Sequence, residues 1–313
     1  FFNATAHPTI YTLSLHDALP IYMQIAMPSS IGLWASAFVE SILDELQLFE
    51  GVAQLNDMNP LGSGAAYGVG IDIDREMTTE LLGFDRVQSN VLYCGNGRGK
   101  IEAHILNSLG GFALILNRLA TDLLLFTTKE FQFFTFTEAI ATGSSIMPQK
   151  KNLDVMELIR SRTHVILGNE SQIKHIIANL PSGYNRDYQD TKKLLIESFA
   201  TLEHMVKVSK IVFLHLKPNE DRLKAAMLPE IYATDAAYRL VKQGKPFRDA
   251  YRHVGTHLEE LDKEDALLNI KSKKHIGATG NLELPKYGQK IFTMKEIWQK
   301  SAAEYQATLE KLF

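Results

Sequence analysis

Apolar residues along most of this chain return at steps of three and four, the spacing that gathers them on one face of an α-helix. Between 31 and 49 the set Ile31, Leu33, Trp34, Phe38, Val39, Ile42, Leu43, Leu46 and Leu48 predicts an amphipathic helix entered after Pro28. Residues 101–126 are apolar on nearly every face around 114–116 and 123–126, which predicts a central helix with neighbours all round. Two further helices are predicted over 153–180 and 190–216, each well beyond the usual length of about 11 residues. A helix rich in Phe is predicted at Phe131, Phe133, Phe134 and Phe136. Beyond Pro218 the units shorten, to about 220–227, 234–243 and 247–260, and a last amphipathic helix covers 293–313.

Between these lie segments with turn chemistry. Residues 56–74 carry Asn59-Pro60 and several glycines, and Gly277, Gly280 and Gly288 punctuate a loop or short hairpin. The pattern predicts an all-α fold: an elongated helical bundle over 22–217 and a smaller C-terminal helical domain over 218–313. No tandem repeat or low-complexity tract interrupts it.

Composition narrows this further. With 20 Gly and 10 Pro in 313 residues, the two together fall below the usual share of about 12%, which disfavours turn-rich all-β architectures. The 33 Lys+Arg against 36 Asp+Glu give a net charge of −3, hence no general attraction to nucleic acid or acidic membranes. An anionic ligand must then be held by a few placed cations. One cysteine, Cys94, makes no intrachain disulfide, and a reducing compartment, the cytoplasm, fits best. The uncharged run 18–39 has the length of a membrane span, yet contains Pro20, Gln24, Pro28, Ser29 and Ser30, so none is expected.

Residues 1–21 do not continue the helical texture and look like translated sequencing-adapter read-through, so they are set apart as a non-native segment. A short helix is expected around 14–19, and His7, His16 and Asp17 are kept out of the chemistry.

The stretch Gly143-Ser144-Ser145-Ile146-Met147-Pro148-Gln149-Lys150-Lys151-Asn152 is the most informative. Small residues make it mobile, Asn152 is placed to cap the helix beyond, and Lys150 adds a full charge. Such a loop suits a carboxylate, or the enolate-like dianion formed when a proton leaves the carbon beside one. Ser144 is the candidate base, because desolvation and nearby cations depress a hydroxyl's pKa. By composition alone, the same residues read as a Ser/Gly linker with a helix cap.

These ten residues resemble the GSSxMPxKxN signature of the fumarase/aspartase/argininosuccinate lyase superfamily. The chain is most similar to the argininosuccinate lyase family within it, from Met23 to Phe313. That likeness rests on Asp154 to Arg160, on Tyr184-Asn185-Arg186-Asp187-Tyr188-Gln189-Asp190-Thr191-Lys192, and on Pro60 to Ser63. It extends to Asp74-Arg75 with Leu81 to Phe84, to Ala233-Thr234-Asp235, and to Gly244 to Arg248.

The resemblance implies β-elimination of fumarate from argininosuccinate to give arginine, in arginine biosynthesis, with no cofactor and no metal. It assigns Ser144 as general base, and Lys150 and Asn152 as holding the carboxylate and its aci-carboxylate intermediate. Glu157 would pair with the family's histidine, and Tyr184, Gln189 and Lys192 would contact substrate. It also implies a homotetramer whose active sites each draw on three subunits. The chain departs from the family in one place: Ile21-Tyr22 stands where the family writes Thr-His, and roughly the first third of the family's chain is missing. The chain itself is therefore expected to be an inactive fragment. The alternatives are a sister lyase acting on adenylosuccinate or aspartate, and a non-catalytic helical scaffold.

Other signals are weaker. His253 and His257 lie one helical turn apart, but no Glu follows the first as the zinc-protease motif requires. Gly62-Ser63-Gly64 and Gly95 to Lys100 read as loops, with Arg98 and Lys100 as weak anion-site candidates. His104, His164, His175 and His204 are unassigned.

Overall fold

The computed structural model describes residues 16–21, 24–262 and 264–312. An antiparallel pair, β1 (His16–Ile21) and β2 (Gln24–Ser30), comes first. Ser30 Oγ then accepts the Leu33 N–H at 3.1 Å and caps α1 (Ile31–Asn56). Next are β3 (Met58–Asn59), α2 (Arg75–Leu82), β4 (Arg86–Val87), α3 (Val91–Asn96) and α4 (Lys100–Phe126). The middle continues through β5 (Phe134–Phe136), α5 (Val155–Ile177), α6 (Thr191–His215) and β6 (Leu216–Pro218). It ends with α7 (Glu220–Ala225), α8 (Ala233–Lys242), α9 (Phe247–Gly255), α10 (Ala266–Ser272) and α11 (Leu284–Leu312). The fold is all-α, as the apolar spacing predicts; among the described residues the strands form only isolated pairs.

The chain divides into two interleaved compact units, whereas the sequence suggested consecutive blocks meeting at 217/218. One unit comprises Glu40–Asp122, Thr142–Leu214 and the residues from 288 onward. Its core is built by α4, α5 and α6, where Ala103, Leu106, Ile173 and Leu194 are buried together. Each such Leu or Ile contributes about 1.5–3 kcal/mol by leaving water. Polar contacts set the register: Thr163 Oγ1 donates to Ala113 O at 3.1 Å, and Asn169 Nδ2 donates to Ser198 Oγ at 3.1 Å. Among the described residues, α4 alone is long and apolar enough to cross a membrane. Its Leu106, Leu109, Ala113, Leu116 and Leu119 are buried inside the protein.

The other unit joins residues up to 39 with Leu123–Ala141 and His215–Tyr287. Trp34 lies at its centre, edge-on to Phe126 at 5.9 Å and tilted on Phe134 at 5.7 Å. Two smaller apolar clusters support its helices: Met227, Ile231 and Tyr232, and the α8–α9 pairing of Ala236, Ala237, Ala250 and Val254.

Several expectations are corrected. The Phe-rich segment is not helical: Phe134–Phe136 is a strand paired with Leu216–Pro218, after Gln132 adopts φ 52°. Aromatic and Thr residues alternate there, which suits an extended segment buried on one face. His16–Ile21 is strand rather than helix, paired along β2, while Ser14 and His7 lie outside the described residues. The helix expected over 247–260 stops at Gly255, and Leu258–Glu260 forms a separate 3-10 turn. The last helix begins at Leu284, earlier than 293, because Pro285 sits in its first turn, where no N–H is needed.

Candidate active site

The loop 143–152 is closed at its base by an isolated antiparallel bridge. The Thr142 N–H donates to Asn152 O at 3.0 Å, and the Asn152 N–H donates to Thr142 O at 2.9 Å. The Asn152 side-chain amide adds a third bond to Thr142 O, at 3.3 Å. Asn152 therefore closes the loop and does not cap a helix. Asp154 takes the cap position of α5, without a side-chain bond. The reason is geometric: the bridge pulls Asn152 back to Thr142, so the helix starts two residues later than the sequence suggests.

Inside the loop, Ser144 Oγ accepts the Ile146 N–H at 3.3 Å and the Met147 N–H at 3.1 Å. Two N–H donors converging on one oxygen are the arrangement that stabilises an oxyanion, and they offset part of the cost of deprotonating a hydroxyl. The Lys150 N–H returns to Met147 O at 3.0 Å, completing the turn. Lys150 and Glu157 are exposed, and Ser144 and Asn152 are half-buried. Among the described residues no carboxylate pairs with Lys150, so its charge is available to an anion.

The second group forms where α5 gives way to α6. Gln189 Nε2 donates to the Tyr184 hydroxyl at 3.1 Å. The Arg98 guanidinium lies 5.3 Å from the ring centroids of both Tyr184 and Tyr188. Hydrogen bonding with Arg98, then with Gln189, lowers the Tyr184 phenol below its ordinary range. Tyr188 is buried, Tyr184 is 60% exposed, and Lys192 is exposed on the first turn of α6. The turn carrying Arg98 is fixed to this segment: Asn96 Oδ1 accepts the Gly183 N–H at 2.7 Å. Gly99, with φ 75°, sits so close to α5 that an added Cβ would lie 2.2 Å from Ile177 Cγ2.

The two groups do not meet within one chain. Ser144, Lys150, Asn152 and Glu157 stand at the N-terminal end of α5, and Tyr184, Gln189 and Lys192 lie beyond its other end. A helix of 23 residues separates them by about 33 Å at 1.5 Å per residue. Arg98, read from sequence only as a weak anion-site candidate, joins the second group. The signal was its place in a glycine-bracketed turn, which leaves the backbone free to approach another segment closely.

The Pro60 to Ser63 and Asp74-Arg75 stretches meet around Arg75. Its guanidinium donates to Leu61 O at 2.8 Å and Gln88 O at 2.9 Å, while the buried Asn59 amide donates to Thr79 Oγ1 at 2.9 Å. These residues hold a loop together. His253 and His257 bring their rings to 4.7 Å, and His257 Nδ1 is engaged with His253 O at 2.7 Å. Among the described residues no group of three or more His, Cys, Asp or Glu side chains is placed to hold a metal. Tyr22, which stands where the family has histidine, lies outside the described residues.

Comparison with known proteins places these features. The family model described as Lyase matches residues 22–168. An argininosuccinate lyase of Parabacteroides distasonis is 40% identical over 263 residues, covering 83% of this chain and 58% of that protein. The chain belongs to the fumarase/aspartase lyase family. As a family member it spans about 58% of the length of that curated relative. Its fold matches EDDS lyase in complex with formate at a TM-score of 0.82, with 20% identity over 96% of this chain and 68% of that one. A variant EDDS lyase with bound fumarate matches at 0.75, again at 20% identity, over 95% of this chain and 68% of that one.

Proposed function

We propose that this lyase-family chain carries the argininosuccinate lyase machinery: it eliminates fumarate from argininosuccinate and releases arginine, in the cytoplasm, as a step of arginine biosynthesis. The observation that carries the reading is the seating of Ser144 Oγ under two N–H donors on the same closed loop as Lys150. Ser144 takes the proton from the carbon beside a substrate carboxylate, and Lys150 and Asn152 hold the negative charge that develops there. The C–H electron pair then forms the carbon–carbon double bond, the C–N bond breaks, and its pair leaves on the guanidino nitrogen, which is protonated. Tyr184, Gln189 and Lys192 orient the substrate, and Glu157 pairs with a histidine from the family's Thr-His position. The reaction needs no cofactor and no metal.

The separation of about 33 Å along α5 supports a site shared between chains. Ser144 of one copy would face Tyr184 and Lys192 of another, in a homotetramer. Uncovered apolar side chains on α5 and α6 agree with such packing: Leu158 is 60% exposed and Ile196 68%.

Because Ile21-Tyr22 stands at the Thr-His position and the chain spans 58% of its relative, the chain alone is proposed to turn over little or no substrate. The test joins residues 23–313 to the amino-terminal part of the Parabacteroides distasonis enzyme and follows fumarate by its ultraviolet absorbance. Release from argininosuccinate, but not from adenylosuccinate or aspartate, is expected. Release from either of the other two alone would overturn the reading, and full turnover by the unextended chain would overturn the inactivity.

A further inference from the structure

Arg98 lies against two aromatic rings at once. It is half-buried, and among the described residues no carboxylate neutralises it. Its guanidinium contacts the faces of two tyrosines at the same distance, 5.3 Å. A planar cation between two rings is attracted by both and loses little freedom in holding one orientation. The turn bearing it is anchored on each side: by the Asn96–Gly183 hydrogen bond at 2.7 Å and by the glycine-only approach of Gly99 to Ile177. Tyr188, the inner ring, is buried and fixed, with its carbonyl accepting from Thr191 Oγ1 at 2.9 Å. Tyr184, the outer ring, is largely exposed and has few other restraints, Gln189 Nε2 being one.

We propose that Arg98 is a positioning residue that acts through Tyr184, holding its ring with the same guanidinium that rests on Tyr188 and presenting its hydroxyl to a carboxylate of the substrate. The inference rests on the reading of Tyr184 as a substrate contact. An exposed tyrosine without the clamp would sample several rotamers, and each binding event would have to order it. The guanidinium has five N–H donors and a fixed charge, so it holds the ring while adding positive potential beside the hydroxyl. The charged groups acting on that hydroxyl are Arg98 and Arg186. Arg186 shares the 184–192 segment, whereas Arg98 is brought in from a turn more than eighty residues earlier.

The experiment uses the purified chain with Arg98→Met, which keeps the stem but removes charge and donors, and Arg98→Lys, which keeps charge without the planar fork. Tyr184 ionisation is read as the ultraviolet difference between each protein and its Tyr184→Phe counterpart, and argininosuccinate affinity by calorimetry. Arg98→Met should move Tyr184 ionisation to higher pH and weaken binding about 5- to 20-fold, with Arg98→Lys recovering part of the loss. In the Tyr184→Phe background the Met substitution should have little further effect, since the two residues act as a unit. Unchanged Tyr184 ionisation, or losses that simply multiply, would overturn the proposal. If the chain binds no argininosuccinate, the reading of the substrate site fails, and the clamp stands or falls on the ionisation measurement alone. Should Arg98→Met fail to fold, Arg98→Lys decides: a Tyr184 titration identical to the parent would reject the clamp.

Discussion

The side-chain carbonyl of Asn96 accepts the N–H of Gly183 at 2.7 Å, tying the end of α3 to the turn before Tyr184 across eighty-seven positions of sequence. Replacing Asn96 with Ala leaves a part-buried N–H without its partner, which costs about 1–3 kcal/mol. A lowered midpoint of thermal unfolding, with Tyr184 less protected from solution quenchers, is expected. An unchanged midpoint would show that water replaces the amide without loss.

Ser144→Ala removes the proposed base but keeps the Thr142–Asn152 bridge, whose bonds are made by other atoms. In the extended chimera, fumarate release should fall by about 10²–10⁴, the range for a lost general base. The fold should survive, as judged by an unaltered circular dichroism spectrum. Substantial remaining turnover would assign the proton abstraction to another group.

Gly99→Ala is expected to be strongly destabilising. The position has φ 75°, and a methyl group there would lie 2.2 Å from Ile177 Cγ2, so both backbone strain and overlap act together. Overpacking of this kind costs about 1–3 kcal/mol, before the strain of the left-handed backbone. Denaturant titration is the check; a midpoint equal to wild type would mean that α4 and α5 separate easily at this end.

Glu45 supplies the pH dependence. Burial penalises its charged carboxylate and neighbouring Asp44 adds repulsion, so its pKa is raised above the ordinary 4.5. Its carboxylate rests against Gly111, where a Cβ would come within 2.3 Å of Oε2. A raised pKa means that the folded chain binds the proton more tightly than the unfolded one. Stability therefore falls as pH rises from 4.5 through the folded value, and the full penalty is present above it. Glu45→Gln should unfold at a higher temperature than wild type at neutral pH, and the difference should shrink as pH is lowered towards 4.5. A difference that stays constant over that range would contradict the raised value.

How much of this was legible in advance depends on the range of the interactions involved. The apolar spacing over 31–49, 101–126 and 190–216 locates helices whose ends fall within a few residues of Ile31–Asn56, Lys100–Phe126 and Thr191–His215, apart from the later end of the first. That spacing is a local property, because each residue's face follows from its own position in the turn. The signature loop is likewise readable as residues, since its small side chains, Ser144 and Lys150 are consecutive in sequence. Pairings made at long sequence distance were not legible. The Phe134–Phe136 strand exists because Leu216–Pro218 is brought beside it, and Asn152 is drawn from a capping role by its bridge to Thr142.

The sequence by itself determined the all-α class, the long helices and the chemical identity of the loop, because periodicity and side-chain type are carried by neighbouring residues. Only the tertiary structure decided that Arg98 lies against Tyr184 and Tyr188, and that the length of α5 keeps this group from Ser144. Both outcomes depend on where turns dock and how far a rigid helix reaches, and no local pattern encodes either.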